Sequence, residues 1–259
     1  MLTLAVDTTT NRGSFALARD GRPLEEVFGD AGSTHGERLP GTIHALLGRR
    51  GMTTADVDRY AVALGPGSFT GLRVGIATVQ GLALAHGRPV VGIPVLDVLV
   101  DIAAQAAGGG AVPDLIAPWV DARRGEVFSA LYEAAPDAPA AGGAGGGEAA
   151  AGAGWRVTEA PVSATPAAVL DGWAHRLRGR AAWAIGDGVA ASRLLLAERL
   201  GAGSRLFEEI PSLARTMAAM AVQAPWRDRA GAPHALRPVY VRRPDAELAR
   251  DRRRRGGEA

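Results

Sequence analysis

Two aspartates stand where chemistry could begin. Asp7 closes the apolar run Leu2–Val6 and is followed by Thr8, Thr9 and Thr10. Asp121 follows Val120 and precedes Ala122, Arg123 and Arg124. Each heads a short Gly-ended turn, at Gly13 and Gly125, and each turn leads into a second apolar run. The chemistry such hairpins can offer is phosphate binding. That requires small residues beside the acid, so that backbone N–H groups can approach an anion. Neither turn has a Gly next to its Asp. The first offers threonine hydroxyls, and two long side chains crowd the second. Phosphate binding therefore stays open beside a purely structural role.

The string Leu64-Gly65-Pro66-Gly67-Ser68-Phe69-Thr70-Gly71-Leu72-Arg73-Val74-Gly75 invites a phosphate-loop reading. It fails the spacing, which needs four residues between the glycines and then Gly-Lys-Ser/Thr. Leu72 stands where the lysine belongs. A tight turn with Ser68 or Thr70 capping the next helix fits better. Metal chemistry finds little support. The five histidines, His35, His44, His86, His175 and His234, contain no His-x3-His pair, and His35 and His44 are half a helical turn out of phase. No G-x-S-x-G elbow is present for a serine nucleophile.

The elements around these residues read as α/β. Leu2–Val6, Ser14–Ala18 and Leu24–Phe28 form three antiparallel strands, the last two joined through Asp20-Gly21. A helix over about 37–50 carries Leu39, Ile43, Leu46 and Leu47 on one face. A strand at Tyr60–Leu64 feeds a second helix at about 70–85, then Val90-Val91 and a helix at about 95–107. The second half has strands at 115–121 and 126–132, a helix at about 166–178, a strand at Ala182–Ile185, and helices at about 189–200 and 213–223. Residues 134–154 hold ten Ala and seven Gly. They cannot bury enough surface to offset ordering, and they read as a flexible, dispensable insertion in a hairpin. The two Asp hairpins lie 114 residues apart, and helices follow each in similar order. The pattern predicts a duplicated half-domain, with residues 1–109 and 110–245 as the halves and 246–259 as a basic tail.

The helix at 70–85 is apolar nearly all round. Leu72, Ile76 and Val79 line one face, and Gly71, Gly75 and Leu82 another; Arg73 is its only charge. Such a helix must be covered on more than one side. A neighbouring helix of the same half or a second chain would serve equally.

The chain has 259 residues, 47% of them apolar, and no cysteine. This excludes disulfides, thiolate metal sites and cysteine nucleophiles. No apolar run reaches membrane-spanning length, and Met1–Thr10 lacks the basic start of a signal peptide, so a cytoplasmic location is expected. Every basic residue is Arg. Residues 225–259 carry ten Arg against five acids, whereas the rest is slightly acidic. A basic tail can contact RNA phosphates or simply be solvated.

Asp-headed hairpins on duplicated α/β halves are the layout of actin-like ATPases and sugar kinases. Within that superfamily, LAVDTTT, LGPGSFTGLRVGIATVQGLA, VDARRGEVFSALY and Arg237–Arg243 (RPVYVRR) resemble the TsaB (YeaZ) family. The resemblance implies a duplicated actin-like fold with mixed sheets in its two half-domains. It also implies a non-catalytic subunit without cofactor. Such a subunit pairs with the transferase TsaD, with TsaE joining, to place threonylcarbamoyl on the adenosine 3′ of the anticodon. Contact with tRNA would come through the complex, and a homodimer could form without TsaD. Val95 and Leu99 stand where TsaD would carry metal-binding histidines, and Gly186-Asp187-Gly188 weakly echoes its adenosine-side segment. A residual nucleotide cleft would involve Asp7, Thr8, Thr9, Asp121 and Gly186. The resemblance also favours a second chain over helices 37–50 and 70–85, with Leu39, Ile43, Leu46, Leu47, Gly71, Leu72, Gly75, Ile76, Val79 and Leu82 as the partner-binding residues. The family's alternatives are a small-molecule kinase or ATPase of the same fold and a metalloprotease-like hydrolase.

Overall fold

Every residue of Leu2–Asp7 is buried, so this strand, β1, has no solvent face and must lie inside a sheet covered on both sides. The computed structural model describes residues 1–10, 12–29, 35–108, 111–135 and 154–242, with side chains of 35–37 excluded. β1 pairs antiparallel with β2 (Ser14–Arg19), matching Leu4 with Leu17 and Asp7 with Ser14. β2 turns through Asp20 and Gly21, whose φ values of 49° and 77° give the paired left-handed turn that a right-twisted hairpin favours. β3 (Arg22–Phe28) follows, and β4 (Arg59–Ala63) and β5 (Val90–Ile93) add in parallel on the other side of β1. The sheet order is β3-β2-β1-β4-β5.

The second half contributes β6 (Leu115–Arg123), β7 (Glu126–Ala134), β8 (Trp155–Ala164), β9 (Ala182–Ile185) and β10 (Arg205–Phe207). Their order is β8-β7-β6-β9-β10, the first sheet repeated strand for strand. Helices α1 (His35–Gly48), α2 (Phe69–His86) and α3 (Val95–Gln105) follow the third, fourth and fifth strands of the first half. Helices α4 (Pro166–Leu177), α5 (Val189–Arg199) and α6 (Leu213–Met220) do the same in the second. Two mixed sheets and repeated helices define a duplicated, two-lobed α/β fold of actin-like type.

Three cores hold the lobes. α1 and α2 cover one face of the first sheet through Leu39, Ile43, Leu46, Leu47, Ile76 and Val79. α4 and α5 cover the second sheet through Trp173, Leu177 and Leu196, with Trp119 packed edge-on to Trp173. The third core is shared: α6 packs on β1 and β2, α3 packs on β6 and β9, and both meet between the sheets. Each lobe thus lends a helix to the join.

Two strands escaped the sequence reading. β8 is an edge strand with Pro161 in it and mostly half-exposed residues, so no apolar run marks it. β10 has only three residues. β7 and β8 are antiparallel, and Ala135 N–H donates to Gly154 O (2.8 Å), so the two ends of the Ala/Gly stretch lie side by side. Residues 136–153, which make up most of it, and the tail at 246–259 lie outside the described residues. Among the described residues no helix is long and apolar enough to cross a membrane.

Candidate functional site

Because β1 and β6 hold equivalent places, their C-terminal ends open on one cleft between the lobes. The cleft measures about 650 Å³ and is lined by Asp7, Thr9 and Ser14 from one side and Asp121, Arg123 and Asp187 from the other. The two expected aspartates are therefore brought together in one cavity, each with its carboxylate engaged in its own hairpin. Asp7 is buried and its carboxylate organises its own turn. The Thr9 N–H (2.9 Å) and hydroxyl (2.5 Å) both donate to Oδ1, and the Ser14 hydroxyl donates to Oδ2 (3.4 Å). Thr8 points away, donating to Gly71 O at 2.8 Å beneath α2. Thr10 Oγ1 accepts the Gly13 N–H at 3.0 Å. The hydroxyls that might have met a phosphate are committed to the fold.

The second hairpin differs. Asp121 accepts the Arg123 N–H at 2.8 Å and pairs with the Arg123 guanidinium at 3.2 Å. Arg123, Arg124 and Gly125 all have left-handed φ (63°, 58° and 74°), with a bulge between Asp121 and Arg123. Two side-chain-bearing residues in that region are unusual and mark a constrained turn. Asp121 N–H donates to Asp187 Oδ1 at 2.9 Å. Burial raises the Asp187 carboxyl above its ordinary value; that hydrogen bond lowers it, and the neighbouring Asp121 charge raises it again. Gly186 does not line the cleft. Its backbone lies against β6, where a Cβ would fall 2.2 Å from Trp119 O, so the residue at the cleft is its neighbour Asp187. Sequence reading also missed Arg12, Phe28 and Val239–Arg242 in the lining. Only the RPVYVRR string signalled the last of these.

The Gly-rich string builds a helix start. Ser68 Oγ accepts the Gly71 N–H at 3.2 Å and caps α2. A Cβ on Gly71 would sit 2.0 Å from Thr8 O, and one on Gly75 2.2 Å from Thr8 Oγ1. The glycines let α2 rest directly on the end of β1, and this close approach is the physical reason for them.

The expected partner-binding residues need correction. Leu39, Ile43, Leu46, Leu47, Leu72, Ile76 and Val79 are at most 6% exposed, Gly71 and Gly75 are buried, and Leu82 is half-buried. The most apolar stripes of both helices are drawn to the sheet and to each other, as hydrophobic burial requires. The faces left outward are Thr70, Arg73, Ala77, Gly81, Leu84 and Ala85 on α2 and Arg38, Pro40, Gly41, His44, Ala45 and Gly48 on α1. A Cβ on Gly41, Gly48 or Gly81 would meet nothing within 4 Å, and Leu84 is 60% exposed. Among the described residues no three His, Asp or Glu side chains gather to hold a metal ion. Val95 and Leu99 lie in the shared core.

Fold and cleft define the class: a two-lobed actin-like α/β protein with one Asp hairpin from each lobe at its cleft. A family model described as "TsaD: tRNA N6-adenosine threonylcarbamoyltransferase" matches residues 29–146. The tRNA threonylcarbamoyladenosine biosynthesis protein TsaB of Bacillus subtilis (strain 168) is 34% identical over 133 residues, 51% of this chain and 56% of that protein. The TsaB of Escherichia coli (strain K12) is 38% identical over 135 residues, 51% and 55% of the two chains. The chain thus matches just over half the length of these relatives. A solved Pseudomonas aeruginosa protein, described by its similarity to peptidase YEAZ, superposes with a TM-score of 0.68 at 26% identity, covering 93% of this chain and 99% of that one. Over these lengths the chain is similar to TsaB and YeaZ proteins.

Proposed function

We propose that the chain is a non-catalytic partner subunit in tRNA threonylcarbamoyladenosine biosynthesis, which binds a TsaD-type transferase and holds it in a competent arrangement. The observation that most favours this reading is the first hairpin: the Asp7 carboxylate and the Thr8 and Thr9 hydroxyls are spent inside the fold. The names carried by the matched relatives, TsaB and the transferase itself, support the pathway and the partner. TsaE and tRNA would join through that pair.

In this reading residues 1–109 form the partner-binding subdomain and 110–245 the second. The partner meets α1 and α2, not through the core leucines but through the outward face. Small residues at Gly41, Ala45, Ala77 and Gly81 let a second helix pair approach closely, and Leu84 supplies an apolar contact. Without TsaD the same face would pair two copies of this chain. A specific interface of this kind buries about 1,200–2,000 Å².

The test is co-purification with the TsaD of the same genome, followed by tRNA threonylcarbamoylation with and without this chain. A complex on which modification depends supports the reading, provided Ala77→Arg abolishes both without altering the melting temperature. Absence of a complex, or ATP turnover by the chain alone, would reopen the cleft as a catalytic site.

A further inference from the structure

The last described residues bridge the two lobes. Upstream, the chain is fastened to the first lobe: Gly231 pairs with Val90 of β5, and Gln80 of α2 donates to Pro233 O at 2.8 Å. Val239 N–H then donates to Leu64 O at 2.7 Å, just past β4. The Tyr240 ring lies 5.2 Å from that of Phe69, and its hydroxyl accepts from Arg73 Nε at 3.1 Å. Arg73 in turn lies 3.9 Å over the Phe69 ring. Two residues on, the chain reaches the other lobe. Arg242 donates to Glu126 Oε2 of β7 at 3.1 Å and sits 5.7 Å over the Phe128 ring. Val239, Tyr240, Val241 and Arg242 all line the cleft.

The two ends of this crossing are unequal. The first-lobe end has backbone pairing, a tilted ring contact and side-chain hydrogen bonds. The second-lobe end has a partly exposed ion pair and a cation–π contact, both weak in water. Elsewhere the lobes meet through α3 and α6 in the shared core, which serves as the pivot. A firm anchor, a weak clasp and a pivot together make a reversible closure.

We propose that Arg237–Arg242 is a latch that closes the inter-lobe cleft, held shut by Arg242 on Glu126 and Phe128 and released when that clasp breaks. This inference does not depend on which partner binds α2.

The absence of cysteine makes the test clean. Spin labels on Ala55→Cys and Ala197→Cys, exposed sites in the first and second lobes, report the lobe separation by pulsed electron resonance. The intact chain should give one narrow distance distribution. Arg242→Glu, which sets like charges face to face, should add a second population at a different distance; Glu126→Gln should add a smaller one. Joining Arg242→Glu with Glu126→Arg should restore the single distribution. Both single variants need only retain the parent far-ultraviolet circular dichroism. If either folded variant keeps the parent distribution, or the double exchange fails to restore it, the latch is overturned.

Discussion

α2 and α5 occupy the same place in their lobes, each following the strand beside the central one, yet they solve the same packing problem differently. Both must press close to the end of a central strand. In the second lobe the close approach is made in the loop before the helix, where Gly186 and Gly188 lie against Trp119 O. α5 itself is then free to carry Arg193, Glu198 and Arg199 outward. In the first lobe the approach is made by the helix, with Gly71 and Gly75 on Thr8. α2 is consequently small and apolar along its length, and its outward face carries Ala77, Gly81 and Leu84 instead of a run of charges. The duplicated fold leaves one lobe with a solvated exterior and the other with a face suited to contact.

The largest effect should come from reversing the inner face of α2. Val79 is fully buried among Leu39, Ile43 and Tyr60 in the first-lobe core. Val79→Arg buries an unpaired charge and should cost about 3–5 kcal/mol, enough to unfold a marginal chain. Ala77→Arg, two residues away and exposed, should shift stability by less than about 0.5 kcal/mol. Thermal melts of the pair decide it. Equal melts would mean that the inward and outward faces of α2 are assigned the wrong way round.

The join between the lobes gives the next effect. Asp97 of α3 is fully buried and accepts from the Tyr132 hydroxyl of β7 at 2.7 Å, while its Oδ2 has no hydrogen-bond partner. Burial raises its pKa to about 7, against the hydrogen bond from Tyr132 and the charge of Arg229, both of which lower it. Folded Asp97 therefore keeps its proton after an unfolded one, with an ordinary value near 3.8, has lost it. Stability contributed by this site is fully present below pH 4, declines as pH rises toward 7, and is flat above. Asp97→Asn removes that slope. It should match the parent near pH 4 and exceed it at pH 8 by on the order of 2–4 kcal/mol in urea denaturation. A parallel pair of pH profiles would show that Asp97 is ionised in the fold, and the join would then need another account.

The glycines sharpen the contrast between helices. Gly75→Ala should destabilise by about 1–3 kcal/mol, because a Cβ would press on Thr8 and α2 would have to lift from β1. Gly172, in the middle of α4, has nothing within 4 Å of its missing Cβ. Gly172→Ala should stabilise by about 0.5–1 kcal/mol through helix propensity alone. Opposite signs in chemical denaturation are expected, and a gain from Gly75→Ala would contradict the close approach.

Much of this was legible in the residues, for reasons that also explain the gaps. The continuous apolar runs of β1 and β6 and the turn at Asp20-Gly21 are local signals, and the repeated Asp hairpin foretold the duplicated sheet order. Asp7 and Asp121 followed from the same repeat. The inward and outward faces of α2 could not be told apart, because a helix apolar all round carries no phase. The pairing of Val239 with Leu64 spans 175 residues of chain and leaves no periodic trace, so the strap over the cleft emerged only in three dimensions. β8 was hidden because an edge strand with half-exposed residues need not alternate.

The smallest expected effect on stability is also the most discriminating for function. Leu84 on α2 and Leu194 on α5 are both large and exposed, at 60% and 86%. Single exposed apolar residues are ordinary on protein surfaces and need no partner. Replacing either by Arg removes little burial, so both melts should stay within about 0.5 kcal/mol of the parent. What differs is the surrounding surface. Leu194 stands beside Arg193, and Glu198 and Arg199 follow within about a turn, so another guanidinium there changes little. Leu84 stands among Ala77, Gly81 and Ala85 and borders a depression formed with Gly87, Arg88, Pro89 and Pro233. A charge at that point would have to be desolvated by any helix pair docking on α2, and no carboxylate of α2 is there to receive it. Leu84→Arg should therefore weaken binding to the proposed TsaD-type partner at least tenfold in titration calorimetry, whereas Leu194→Arg should leave it unchanged. Equal affinities for the two variants would remove the functional meaning from the difference between the helices, leaving α2 small and apolar only because it must lie on Thr8.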